Sequence, residues 1–259
     1  MNAKPLRLLL SCTLISWSAM AADITQLVAG MAGYESGASL EPLSRIEILV
    51  RQSVGKSGLR NDLEVELTKL ITGNATYEAK RFACQQLAVV GSDRSLPAVG
   101  ELLRHGETVG IACLALGTRP SAKAGAVLLE ALSSLRGAAR TQVVDTLGDR
   151  RDTPSVKRLA DLARDPDLTT AEAAITALGK IADQPAIEAI ARLRKEANPV
   201  LTRAVLDASL RVAESLAAAG NRKAVAALYE ELGQPSQPLF VRRAAEAALR
   251  GIHQNGSNR

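Results

Sequence analysis

Aromatic side chains are nearly missing from this chain. Phe, Tyr and Trp make up 2% of its 259 residues, and the only tryptophan, Trp17, stands near the N-terminus. Sheet cores draw on aromatic and β-branched residues, so a β-sandwich or barrel does not fit. Histidine is scarcer still, with His105 and His253 alone, and three cysteines are too few for a disulfide-stapled scaffold. No His-x-x-x-His, Cys-x-x-Cys or Ser-centred nucleophile turn occurs. No catalytic residue, metal ligand or cofactor site is therefore expected, and the chain reads as a non-enzyme. Charge of one sign is not in large excess either. The formal net charge is +5, too slight to indicate a nucleic-acid partner. No apolar run reaches the roughly 20 residues of a membrane-spanning helix.

What is present is aliphatic. Hydrophobic residues make up 47% of the chain, so Ala, Leu, Val and Ile must build the core. Ala and Leu lead the helix propensity order, which predicts an all-α protein. The first residues form a separate element: Lys4 and Arg7 precede a mostly apolar run from Leu8 to Trp17, and Ala19-Met20-Ala21 offers a small-x-small cleavage site. This is the pattern of a secretory signal peptide over residues 1–21, cleaved after Ala21. A lipoprotein reading on Cys12 leaves too short an apolar region. The leader carries two of the 32 basic and none of the 27 acidic residues, so the remainder keeps an excess of three positive charges. A periplasmic or secreted location follows as an expectation.

A repeat organises the rest. Leu116-Gly117, Leu147-Gly148 and Leu178-Gly179 fall 31 residues apart, closing the segments ACLALG, VVDTLG and AITALG. Ala83, Cys84 and Leu87 repeat the same apolar positions 29 residues before Ala112, Cys113 and Leu116, and Val212, Ala213 and Leu216 repeat them after a gap of 38. Apolar residues at i, i+1 and i+4 mark one buried stripe of a helix. Ile175, Leu178 and Leu147 are thus expected in the core. The Gly after each Leu is expected to end the helix in the left-handed cap that lacks a Cβ penalty. A polar turn follows, often with Pro (Pro120, Pro154, Pro185) opening a second helix. Asp165-Pro166-Asp167 and Asn198-Pro199 break the chain between units.

In AEAAITALGKIADQPAIEAIARL (Ala171 to Leu193) and its partner starting at Thr141, the sequence resembles the HEAT family, specifically the short HEAT-like repeats also found in phycobilisome lyases. The likeness runs from Thr76 to Ile252, five repeats and a terminal helix. Its period is shorter than the roughly 40–47 residues of standard HEAT units, and the Trp, Gly, Tyr and Pro pattern of TPR repeats is missing. FACQQLAVVG (Phe82 to Gly91) is similar to segments of secreted bacterial HEAT-repeat proteins. The resemblance implies a right-handed α-solenoid of about five to seven helix-turn-helix repeats, an armadillo-like superhelix with one contiguous core. Residues 22–75 are less regular. Ile24 to Met31, Pro42 to Val54 and Asn61 to Ile71 each read as a helix, forming N-terminal capping helices or divergent repeats. At the other end Glu246 takes the place of Ile175 and Val144, as suits the outer side of a terminal cap. Residues 76–252 hold the repeats, and residues 253–259 are expected to be a disordered tail.

Three smaller signals have ordinary explanations. Val54-Gly55-Lys56-Ser57 ends like a phosphate-binding loop, but Val50 stands where that motif needs its first glycine. Cys84 and Cys113 could pair in an exported protein. However, they occupy equivalent positions on helices about 8–10 Å apart, beyond the roughly 7 Å between Cα atoms that a disulfide allows. Both read as small core residues. The turns inside the repeats carry Arg94, Arg119, Arg150 with Arg151, and Arg222 with Lys223; only the turn at Asp183 lacks a cation. Cations suit helix C-termini, which would explain them locally. Lined up along one edge, exposed and mostly unpaired, they would instead form a basic ridge for an acidic protein or a polyanionic glycan.

The expected function is a non-catalytic protein-binding or scaffolding module exported to the bacterial periplasm. An accessory subunit of an envelope enzyme or a lyase-like factor is the alternative, and a structural spacer the third. A protein partner is expected, with no nucleic acid and no stable membrane insertion after signal cleavage.

Overall fold

The computed structural model describes residues 22–196 and 198–256, and every regular element among them is helical. The signal peptide expected over residues 1–21 lies outside the described residues. The chain divides between Ser134 and Leu135 into two compact units. The repeat period alone suggests one contiguous core. The division falls where the chain leaves helical geometry, with Arg136 extended and Gly137 at a φ of 53°.

The first unit holds α1 (residues 22–30), α2 (Glu41–Gln52), α3 (Ser57–Thr72), α4 (Tyr77–Val90), α5 (Leu96–Leu102), α6 (Val109–Gly117) and α7 (Ala122–Ala131). Here α3 packs on α4 and α4 on α6, while α5 packs on α7. The three N-terminal helices fall close to the expected positions. They are tied to the repeats through Thr76, the N-cap of α4. Its amide donates to the Ala32 carbonyl at 2.9 Å, its hydroxyl donates to the Tyr34 carbonyl, and its oxygen accepts from the Ala79 amide.

The second unit holds α8 (Gly137–Asp149), α9 (Val156–Leu162), α10 (Leu168–Ile181), α11 (Gln184–Lys195), α12 (Thr202–Ala218), α13 (Arg222–Leu232) and α14 (Leu239–Gly256). Its first helices stack α8 on α10 on α12, and its second helices α9 on α11. Within each unit the helix pairs stack in the manner of an α-solenoid. Leu147, Ile175 and Leu178 are fully buried, as their spacing predicts. Cys84 and Cys113 are buried and not joined in a disulfide, and burial pushes the Cys84 thiol up to about 12, which leaves it unreactive. On α14, Val241 and Ala245 face the core while Glu246 is exposed, as expected of a cap. The tail boundary moves, because α14 runs on through His253 to Gly256 with no proline to stop it.

The Leu-Gly glycines do a different job from the one expected. Gly148 lies inside α8 and Gly179 inside α10, and neither has a positive φ. A Cβ on Gly148 would stand 2.7 Å from the Cα of Ala177, and one on Gly179 would stand 3.0 Å from the Cα of Ala208. These glycines let neighbouring helix backbones touch. The left-handed residue comes three places later, at Arg151 (φ 51°), Ala182 (φ 49°) and Gly220 (φ 75°). At α8 the Asp152 amide reaches back to the Leu147 carbonyl and the Arg151 amide to the Gly148 carbonyl, and α12 ends on the same pair of bonds.

Gly148→Ala therefore tests packing against propensity. Alanine gains about 1 kcal/mol over glycine within a helix, but here its methyl group meets backbone. A net loss of about 1–3 kcal/mol is expected from overpacking, with a smaller loss for Gly179→Ala. Gly251→Ala, whose added methyl meets only open space, should instead stabilise. Urea titrations of the three variants read these signs directly; a stabilised Gly148→Ala would mean the helices are not held at closest approach.

Candidate functional site

The turn cations separate residue by residue. In the first unit Arg94 opens outward from a one-turn 3-10 helix (Asp93–Ser95), with its side chain 60% exposed. Even so it is paired, donating to Glu64 at 3.2 Å, to Asn61 and to the Ser92 hydroxyl. Glu64 is only 3% exposed. Burial alone would raise its pKa, yet the Ser92 amide and hydroxyl, the Ser95 hydroxyl and the Arg94 charge together hold it below the usual carboxylate value.

Arg119 corrects the ridge expectation. It is 4% exposed, and its guanidinium donates to the Leu87 carbonyl at 2.8 Å, the Ser92 carbonyl at 3.1 Å and the Ser95 hydroxyl at 3.0 Å. It caps the C-terminus of α4 from the neighbouring repeat. Arg60 does the same from the other side, its Nε donating to the Val90 carbonyl at 2.9 Å. Gly91 makes room for this, since a Cβ there would overlap the Arg119 guanidinium. Burial pushes the Arg119 pKa down, partly offset by the Glu64 carboxylate.

In the second unit Arg150 is half-buried at the end of α8, with its pKa lowered by burial and supported by Asp152. It too is a poor ridge residue. Arg151 is exposed, and its side chain has no hydrogen-bond or ion-pair partner among the described residues. Arg222 and Lys223 are likewise exposed and unpaired among the described residues. They open α13, where the helix dipole disfavours cations, so C-terminal capping does not explain them. Asp183 instead caps α11 by accepting from the Ala186 amide at 2.9 Å.

The ends of α8, α10 and α12 meet around a groove of about 510 Å³ that contains Arg151. Two further cations line it, Lys180 and Arg211. They sit within helices rather than turns, so the turn pattern misses them. The helical spacing of Arg211, Glu214, Ser215 and Ala218, all on one face of α12, is the signal that would find Arg211. A larger cavity of about 600 Å³ lies at the N-terminal ends of α10 and α12. Its charges are neutralised internally, Arg164 by Glu196 and Arg194 by Glu231.

Among the described residues no three His, Cys, Asp or Glu side chains gather as metal ligands, and no helix is long and apolar enough to cross a membrane. No curated protein sequence matches the chain. Among solved structures, an archaeal HEAT-like repeats protein from Thermococcus onnurineus NA1 is similar at 14% identity and a TM-score of 0.48, over 89% of this chain and 97% of its own. An engineered protein is similar at 18% identity and a TM-score of 0.42, over 90% of this chain and 74% of its own. Residues 125–210, about a third of the chain, match the family model of HEAT repeats.

Proposed function

We propose that the chain is a non-catalytic protein-binding or scaffolding module exported to the bacterial periplasm. HEAT repeats commonly serve as interaction scaffolds, since stacked units present an extended surface. The observation that carries the reading is the set of exposed cations at and beside the turns that follow α8 and α12, Arg151, Arg222 and Lys223, which have no hydrogen-bond or ion-pair partner among the described residues. Export rests on the leader pattern from Lys4 to Ala21.

Cell fractionation and N-terminal sequencing test export; a chain beginning at Ala22 in the periplasmic fraction is expected. Affinity capture from a periplasmic extract tests binding. A specific partner should be retained at about 50 mM salt and largely lost at about 500 mM, where the Debye length shortens to a few ångströms. Arg222→Glu with Lys223→Glu should weaken capture without unfolding the protein. Reversing Arg119 or Arg150 would not serve, because both are built into the fold. Capture of nothing in either condition would favour a spacer, and capture that ignores salt and the double reversal would move binding to another face.

A further inference from the structure

We infer that the groove between the C-terminal ends of α8, α10 and α12 takes a polypeptide segment in which carboxylates alternate with amines. This rests on the chain being a binding module, as proposed above, and specifies the chemistry of its partner. The groove holds two guanidiniums with no partner among the described residues, Arg151 and Arg211. Lys180 is already neutralised by Asp149 at 2.7 Å. Glu214 stands one helical turn beyond Arg211 and makes no hydrogen bond or ion pair among the described residues. Two free cations and one free carboxylate thus face a single opening.

That balance selects among acidic partners. Guanidiniums match carboxylates in paired, planar hydrogen bonds. A uniform polyanion would also meet Glu214 and the partial negative charge of three helix C-termini. A segment that carries an amine between its carboxylates satisfies Glu214 as well as both arginines.

Arg151, Ala182 and Gly220 occupy the equivalent left-handed position after α8, α10 and α12, a conformation that only glycine adopts without strain. The bonds that end α8 hold Arg151 there, so replacing it with glycine relieves strain and removes the guanidinium in one step.

The test uses the full chain and a fluorescein-labelled peptide of repeating Glu-Lys-Glu, followed by fluorescence anisotropy, with polyglutamate and heparin in parallel. Arg151→Gly should raise the thermal midpoint while weakening Glu-Lys-Glu binding about fivefold, and Arg211→Ala should weaken it by a similar factor. Glu214→Ala should weaken the Glu-Lys-Glu peptide but strengthen polyglutamate. Arg158→Ala, which removes an exposed charge on α9, should leave binding within about twofold and controls for net charge. No binding of the Glu-Lys-Glu peptide, or binding indifferent to Arg151→Gly, overturns the proposal. So does heparin binding as tightly with the same dependence on both arginines. If the groove fails in this way while affinity capture still retains a partner, the binding module stands and only its recognition site is wrong.

Discussion

Truncating Leu178 to alanine is expected to destabilise the second unit by about 4 kcal/mol, high in the range of about 2–5 kcal/mol seen for such changes. Leu178 is fully buried in α10, the helix that packs on α8, α9, α11 and α12. The cost of a lost side chain depends on how far its surroundings can close over the gap. Here they cannot close by bringing backbones together. Gly148 already touches Ala177, and Gly179 touches Ala208. The cavity therefore stays open, and its full energetic cost remains. Leu168, at the start of the same helix and 45% exposed, should lose under 1 kcal/mol on the same truncation. Helical circular dichroism followed through urea unfolding measures both. Equal losses would mean that the buried stripe of α10 is assigned to the wrong face.

Leu178 was legible because its burial follows from spacing alone. The i, i+1, i+4 pattern requires only that a helix forms and has one apolar side, and both follow from local composition. Gly148 and Gly179 were found by the same period, yet their role was not. Whether a glycine ends a helix or admits a neighbour depends on the distance to a residue 29 places away, and no local pattern reports that distance. The left-handed position would have been sought at a glycine, and Arg151 and Ala182 hide it.

The cations failed in a related way. A cation near a helix C-terminus is sound as a rule, but the helix that Arg119 caps is α4, not the α6 that precedes it in the chain. Guanidinium reach across a repeat boundary is a tertiary fact. Conversely, Arg222 and Lys223 look like turn cations in the sequence and lie at a helix start, where local electrostatics gives no reason for them. Arg211 and Lys180 lie on helix faces, outside the turns that carry the cation pattern. What the sequence could supply was the presence of cations at the turns; which of them are exposed required the packing.

Arg119→Ala should be the costliest change among the candidate site residues, at about 3 kcal/mol. The side chain supplies charged donors to the buried Leu87 carbonyl, the Ser92 carbonyl and the buried Ser95 hydroxyl at the end of α4. Removing it leaves those acceptors with fewer partners and withdraws one of the positive charges that face the buried Glu64. Arg119→Lys should recover little, because one ammonium on a flexible stem cannot replace a planar fork aimed at three acceptors. Arg222→Ala, exposed at the start of α13, should cost under about 0.5 kcal/mol. A double-mutant cycle with Gly91 separates this structural role from a general effect of charge. Gly91→Ala sets a methyl group against the Arg119 guanidinium and also against the Leu87 carbonyl. Part of its cost should therefore vanish once Arg119 is alanine, giving a coupling of about 1 kcal/mol or more, as residues in contact show. Strict additivity of the two changes would place the guanidinium elsewhere and return Arg119 to the exposed edge, with its charge available to a partner.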